Sequence, residues 1–138
     1  MRRTLSKKLG CTIVQLSYLC NVKMKTLRKV SFYKSYFQSF FVDLPPNVKK
    51  KFAWTFDLIC LLQVVPEEYL KHLTGTNGLY EVGVQVGSNI YRAFCFFEKG
   101  NLIVLANGFQ KKSQKTPKSE IERAIRIKSE YESEKGNK

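Results

Sequence analysis

A small α+β domain is the fold that this 138-residue sequence predicts, and three features predict it. Two stretches with helical spacing, 33–44 and 47–63, are separated by Pro45-Pro46. Three strand-like runs, 79–86, 90–98 and 101–109, follow across turns at Gly87-Ser88-Asn89 and Lys99-Gly100-Asn101, and a last helical stretch closes the chain. Hydrophobic residues make up 43% and aromatic residues 13% of the sequence, enough for a real core in a single domain and too many for a disordered chain.

Each element has its own signature. Thr26–Phe32 alternates as a first strand, with Leu27, Val30 and Phe32 apolar. Tyr36, Phe37, Phe40 and Phe41 then recur at helical spacing within Tyr33–Leu44. The two prolines stop that helix and open the next. From Asn47 to Gln63, Val48, Phe52, Thr55, Phe56, Ile59 and Leu62 form one stripe, while Lys49, Lys50 and Lys51 fall on the solvent side. The pair reads as an antiparallel hairpin.

Pro66 opens a short predicted helical turn, PEEYLKHL, and Gly75 and Gly78 mark a loop. In Leu79–Val86, Tyr80, Val82, Val84 and Val86 share one face, and Glu81, Gly83 and Gln85 the other, which predicts a half-buried strand with a polar face. Ile90–Glu98 is apolar on both faces except at Arg92, as a central strand requires. Pro117 to about Tyr131 reads as a helix with Ile121, Ala124, Ile125, Lys128 and Tyr131 on one side, and Ser133–Lys138 as a polar tail. These elements predict an antiparallel sheet packed on one face by an N-terminal helical hairpin, with a C-terminal helix and an open face holding the polar residues.

The charge is lopsided. Lys and Arg number 24 against 11 Asp and Glu, net +13. Residues 1–23 contribute five of these cations and no acid, so the remainder carries +8. Such an excess suits a polyanionic partner. Residues 1–23 resemble a signal peptide only faintly, because Gln15, Ser17 and Asn21 interrupt the apolar stretch and no small-x-small cleavage site follows. Met24 opens a well-patterned segment, so 1–23 is expected to be an upstream-start extension and 24–138 the domain. No run reaches the roughly 18 apolar residues of a membrane span. Cys11, Cys20, Cys60 and Cys95 lack CxxC spacing, and His72 is the one histidine, so no metal site is expected. Cys60 and Cys95 sit in apolar runs, as buried thiols in a reducing cytoplasm do.

A cation inside an apolar strand needs an anion or a partner, and Arg92 is followed in sequence by GFQKKSQKTPK. A loop beginning at Gln110, with Lys111, Lys112, Lys115 and Lys118, would ring the mouth of the sheet and grip the phosphates of RNA or DNA; Thr116 and Lys71 complete this binding set. Gly108 would let backbone approach a ligand closely. The segment NIYRAFCFFEKGNLIVLANGFQKKSQKTPKSEIERAI resembles the phage-derived toxins grouped with HigB in the RelE superfamily. The likeness spans roughly 25–134 and is carried by the LYE, YR, IVLANGF, KKSQKTP and EIERA elements.

That resemblance implies a RelE-like fold and a ribosome-dependent messenger-RNA endoribonuclease. It implies attack by the substrate's own 2′-hydroxyl without metal or other cofactor. The implied partners are the ribosome, messenger RNA and a cognate antitoxin of helix-turn-helix type. Arg92 would bind the scissile phosphate, and Lys111 and Lys112 would stabilise charge or donate the proton. Glu81 would orient a lysine or act as base, or instead form a salt bridge with Arg92. The family's LYELR-type strand has a cation where this chain has Gly83, and no Tyr or His follows the basic loop before Tyr131. On this reading an arginine at position 83 would restore a missing contact, unless the glycine marks a bulge or a close backbone approach, where an arginine would clash. The competing reading is an attenuated or non-catalytic module of the same fold that binds RNA or an antitoxin.

Overall fold

The computed structural model describes residues 26–113 and 115–136. The elements run β1 (Lys29–Phe32), α1 (Tyr36–Phe41), α2 (Pro46–Leu61), β2 (Leu70–His72), β3 (Leu79–Val86), β4 (Asn89–Glu98), β5 (Leu102–Lys111) and α3 (Lys118–Gly136). The strands form one sheet in the order β1-β5-β4-β3-β2. The expected α+β class is observed. The sheet is mixed, however, because β1 lies parallel to β5, with Val30 opposite Ile103. A first strand can reach the far edge of a meander in this sense because a long crossover, here including the α1–α2 hairpin, separates it from its partner.

Both faces of the sheet carry helices. Phe37, Val48, Phe52, Phe56 and Ile59 of α1 and α2 pack on Val82, Val84, Tyr91, Ala93, Ile103 and Leu105. Ala124 and Ile127 of α3 pack on Leu79, Phe94, Phe96, Val104, Ala106 and Phe109 across the opposite face. The expectation of helices on one face alone is therefore corrected. Its reason lies in β4, whose two faces are both apolar and so both need cover. Phe37 and Phe52 anchor the first layer, and Phe94 and Phe96 the second, each almost fully buried. Burial of such a ring contributes roughly 1.5–3 kcal/mol. Arg28 closes the hairpin side by donating from Nη1 to the Ile59 carbonyl at 2.9 Å and the Leu62 carbonyl at 2.6 Å, and from Nη2 to the Gln63 carbonyl at 3.0 Å. Those groups are at the end of α2, where helical partners run out.

Several boundaries move from where the pattern puts them. Helix α1 is shorter at both ends, since Lys34 adopts a left-handed φ of 54° just ahead of it. The predicted helical turn at PEEYLKHL is one turn only, with the Tyr69 and Leu70 amides donating to the Pro66 carbonyl. The chain then pairs as β2 with the free edge of β3, His72 opposite Tyr80. One isolated turn has little cooperativity, and an unpaired sheet edge offers better partners. Strand β5 continues through Gln110 to Lys111, so the basic loop starts two residues later than expected.

Helix α3 extends to Gly136, into the expected tail. Its last turns are tied down: Tyr131 donates to Glu98, Tyr36 donates to Glu130 at 2.7 Å, and Lys34 bridges Glu130 at 2.5 Å and Glu134 at 3.1 Å. Gly108, expected to admit a ligand, instead admits the Phe40 ring; a Cβ there would lie 2.4 Å from Cδ2 of Phe40. Cys60 and Cys95 are free and buried, and burial pushes their thiols up to about 11 and about 12. Cys11, Cys20 and the proposed extension 1–23 lie outside the described residues.

Asp57 on α2 is buried, and its Oδ1 has no hydrogen-bond partner among the described residues. Desolvation pushes its carboxyl up to about 7. Below the ordinary carboxylate range the group is neutral in both folded and unfolded chains. As pH rises toward 7, the folded chain keeps a proton that the unfolded chain has released, and stability falls. Asp57→Asn should therefore raise the melting temperature at pH 8 by about 5 °C or more, with the gain vanishing near pH 4. Thermal denaturation of both chains across this range checks it; a pH-independent difference would place the effect in packing instead.

Candidate functional site

The end of the α3-side face that α3 leaves uncovered holds the charged residues. Gly83 pairs with Arg92 and Glu81 with Phe94 across β3 and β4, and Arg92 faces Phe109 on β5. Lys111, two residues beyond Phe109, is the diagonal neighbour of Arg92 on the same face. Lys71 of β2 pairs with Glu81 and extends this row to the sheet edge. A cleft of about 250 Å³ opens here, and Lys51, Lys71, Glu81, Arg92 and Lys111 line it, with Glu67, Glu68 and Tyr69 on its wall. A second depression of about 370 Å³ shares Arg92 and Lys111 and runs on to Lys112 and Ser113. Arg92 and Lys111 form the saddle between the two.

Glu81 is the buried charge of the site, 6% exposed. Its Oε1 lies 3.6 Å from Nε of Arg92, and its Oε2 accepts from the Thr116 hydroxyl at 3.0 Å. Arg92 also donates from Nη1 to its neighbour's carbonyl, Tyr91, at 3.0 Å. The salt-bridge alternative read for Glu81 is thus present in the structure. A buried carboxylate is tolerable because it is both paired and hydrogen-bonded. Thr116 reaches inward, which pins the basic loop against the sheet ahead of α3.

The remaining residues singled out in the sequence are dispersed. Gln110 sits opposite Tyr91, on the hairpin side of the sheet, and donates to Asn89 at 3.5 Å. It points away from Arg92 because neighbouring strand residues alternate faces. Lys112 and Lys115 are exposed in the loop, where the Lys115 carbonyl accepts from Ser113 at 3.2 Å. Lys118 is exposed at the start of α3. His72 meets Tyr80 at a tilt, ring centroids 5.0 Å apart, outside the cleft.

The sequence reading missed Lys51, Trp54, Tyr69, Glu67 and Glu68. Lys51 is not only a solvated helix residue: its Nζ lies 4.7 Å over the Trp54 ring. Trp54 in turn meets Tyr69 edge-on at 5.6 Å. The available signal was Trp54 itself, an aromatic off the apolar stripe of α2. A hydrogen bond to Glu68 holds the Tyr69 phenol above its ordinary range, so it stays protonated. Among the described residues no cluster of His, Cys, Asp and Glu could hold a metal ion, and no helix is long and apolar enough to cross a membrane.

The open end of the sheet in this small α+β domain thus presents a cationic saddle, a surface that attracts anions. The sequence model of the phage-derived Gp49-like protein family (DUF891) matches residues 39–129, and the chain belongs to that family. The family is toxin-like, of the RelE/HigB type. No curated protein matches the chain.

Gly83 takes on a different meaning in this geometry. A Cβ there would lie 2.5 Å from the Glu68 carbonyl oxygen and 3.3 Å from Nη1 of Arg92. The Gly83 amide donates to the Tyr69 carbonyl at 3.1 Å. The 66–69 segment therefore crosses directly over Gly83, and the expected gain from an arginine at this position is corrected: there is no room for one. Gly83→Ala should cost about 1–3 kcal/mol through overpacking, and Gly83→Arg more. Thermal melts check it, and an unchanged midpoint for Gly83→Arg would mean that the 66–69 segment yields freely.

Proposed function

We propose that this protein is the toxin of a type II toxin–antitoxin pair, a cytoplasmic endoribonuclease that cuts messenger RNA during translation. Arg92 and Lys111 carry the reading: two cations from adjacent strands share one saddle on a rigid sheet, with a buried carboxylate between the strand and the basic loop. Cations preorganised on rigid strands suit the charge that develops at phosphorus. In the proposed reaction the 2′-hydroxyl attacks the adjacent phosphate. The O2′–P bond forms and the P–O5′ bond breaks, leaving a 2′,3′-cyclic phosphate and a 5′-hydroxyl. Arg92 holds the nonbridging oxygens in charge-assisted hydrogen bonds. Lys111 or Lys112 supplies the proton that the departing O5′ takes up.

The phosphate competes with Glu81 for Arg92. Displaced from its pairing, Glu81 becomes the carboxylate in the cleft that accepts the 2′-hydroxyl proton. Because the nucleophile belongs to the substrate, this sequence of steps calls on no metal ion. Lys71, Lys112, Lys115 and Lys118 serve as exposed phosphate contacts, while Thr116 positions Glu81. A cognate antitoxin would cover the same saddle with an acidic or apolar segment, the acidic one suited to a stretch with no acid from Gly100 to Ser119.

Two observations favour the second reading, a module that binds RNA or antitoxin without cutting. Arg92 and Glu81 engage each other in this structure, and the one histidine lies outside the cleft.

Cleavage of translated message in a reconstituted system separates the two. Arg92→Ala and the Lys111→Ala/Lys112→Ala pair should each lower the cleavage rate by about 10²–10³ with unchanged melting temperature. Wild-type rates from both variants would remove these residues from the site. RNA binding by the parent chain with no cleavage would leave the module reading.

A further inference from the structure

Beside the saddle lies a third depression, an open groove of about 470 Å³, lined by Asn47, Lys50, Lys51, Trp54, Gln85 and Val86. It shares Lys51 and Gln85 with the cleft that holds Arg92 and Lys111, so the two adjoin. Trp54 is 45% exposed, unusual for so large a ring in a chain whose other aromatics are mostly packed. It is also held in place. The Lys51 ammonium lies over it at 4.7 Å, and Tyr69 braces its edge at 5.6 Å. Tyr69 is itself anchored to the sheet, its carbonyl accepting from the Gly83 amide directly across from Arg92.

We infer that Trp54 is a stacking platform for a base of single-stranded RNA, placed beside the phosphate saddle, with Lys50 and Lys51 contacting the adjoining backbone. The inference rests on reading the saddle as an RNA site, and adds to it the path that the strand takes away from the scissile phosphate. A rigid, half-exposed indole flanked by lysines is the combination that single-stranded nucleic acid requires, because every base offers a face to stack and every linkage a charge to pair. Duplex RNA offers the charge but not the free base faces, since its bases are already stacked on one another. Charge complementarity selects the occupant: the groove adds Lys50 to the shared Lys51 and contains no carboxylate, whereas Glu67 and Glu68 line only the cleft beside Tyr69. An acidic protein segment would answer the lysines but would leave the indole face without a planar partner.

Trp54 is the one tryptophan of the chain, so its fluorescence reports the groove directly. A short single-stranded oligoadenylate titrated into the full-length protein should quench that emission, and the same sequence in a duplex should not. Anisotropy of labelled oligoadenylate should show Trp54→Ala binding roughly tenfold more weakly, with Trp54→Phe retaining most of the affinity. The Lys50→Ala/Lys51→Ala pair should reduce the dependence of binding on salt by about 1–2 phosphate contacts. Absence of quenching, with wild-type affinity in Trp54→Ala but weakened binding in Arg92→Ala, would overturn the platform and leave the saddle reading standing. Quenching and weakened Trp54→Ala binding in a chain that cleaves no RNA would uphold the platform and sink the nuclease. A Trp54→Ala chain that binds RNA normally but loses self-association would assign the groove to a second copy and overturn the proposal.

Discussion

A carboxylate left only 6% exposed must be neutralised, and the way Glu81 is neutralised organises the functional end of this protein. One oxygen faces Arg92 on the next strand and the other accepts from Thr116 in the basic loop. The first contact keeps a cation at the centre of the sheet. The second draws the chain after β5 back across the face, so that α3 starts where it does and leaves the strand ends beyond it uncovered. Removal of Glu81 would strand Arg92 without its partner and release the loop, so the two consequences cannot be separated by position alone.

The sheet face on the α3 side is thus divided. Its apolar half, built from Leu79, Phe94, Phe96, Val104 and Ala106, is sealed by Ala124 and Ile127. Its polar half remains accessible as the cleft and saddle. The far end of α3 is held independently through Tyr131 with Glu98 and through Lys34 with Glu130 and Glu134. Exposed ion pairs of that kind are worth little singly. Their use here is in orientation: they fix the direction of a helix whose other end is pinned by the loop.

The crossing of the 66–69 segment over Gly83 is the second constraint on the site. It brings Glu67, Glu68 and Tyr69 onto the wall of the cleft, and through Tyr69 it links the cleft to Trp54. The absence of a side chain at position 83 makes this crossing possible. In a relative with a cation at this position, that segment would have to run elsewhere. The cleft that Gly83 lines receives its lysines from elsewhere, Lys51 from α2 and Lys71 from β2.

The amino-acid sequence by itself determined the α+β class, the hairpin of helices, the three-strand meander and the closing helix, because each rests on a local periodicity or a proline and glycine signal. It also marked Arg92 and the lysines after β5, since a charge within an apolar strand stands out at any register. Tertiary structure alone decided the parallel pairing of β1 with β5, the pairing of β2 as a strand and the cover on both faces, all of which depend on residues far apart in the chain. It decided as well that Lys111 belongs to a strand and joins Arg92, that Gln110 faces the other way, and that Thr116 points at Glu81. Gly83 and Gly108 show the limit most plainly. A glycine announces that something comes close, but only the folded chain shows that it is the Glu68 carbonyl in one case and the Phe40 ring in the other.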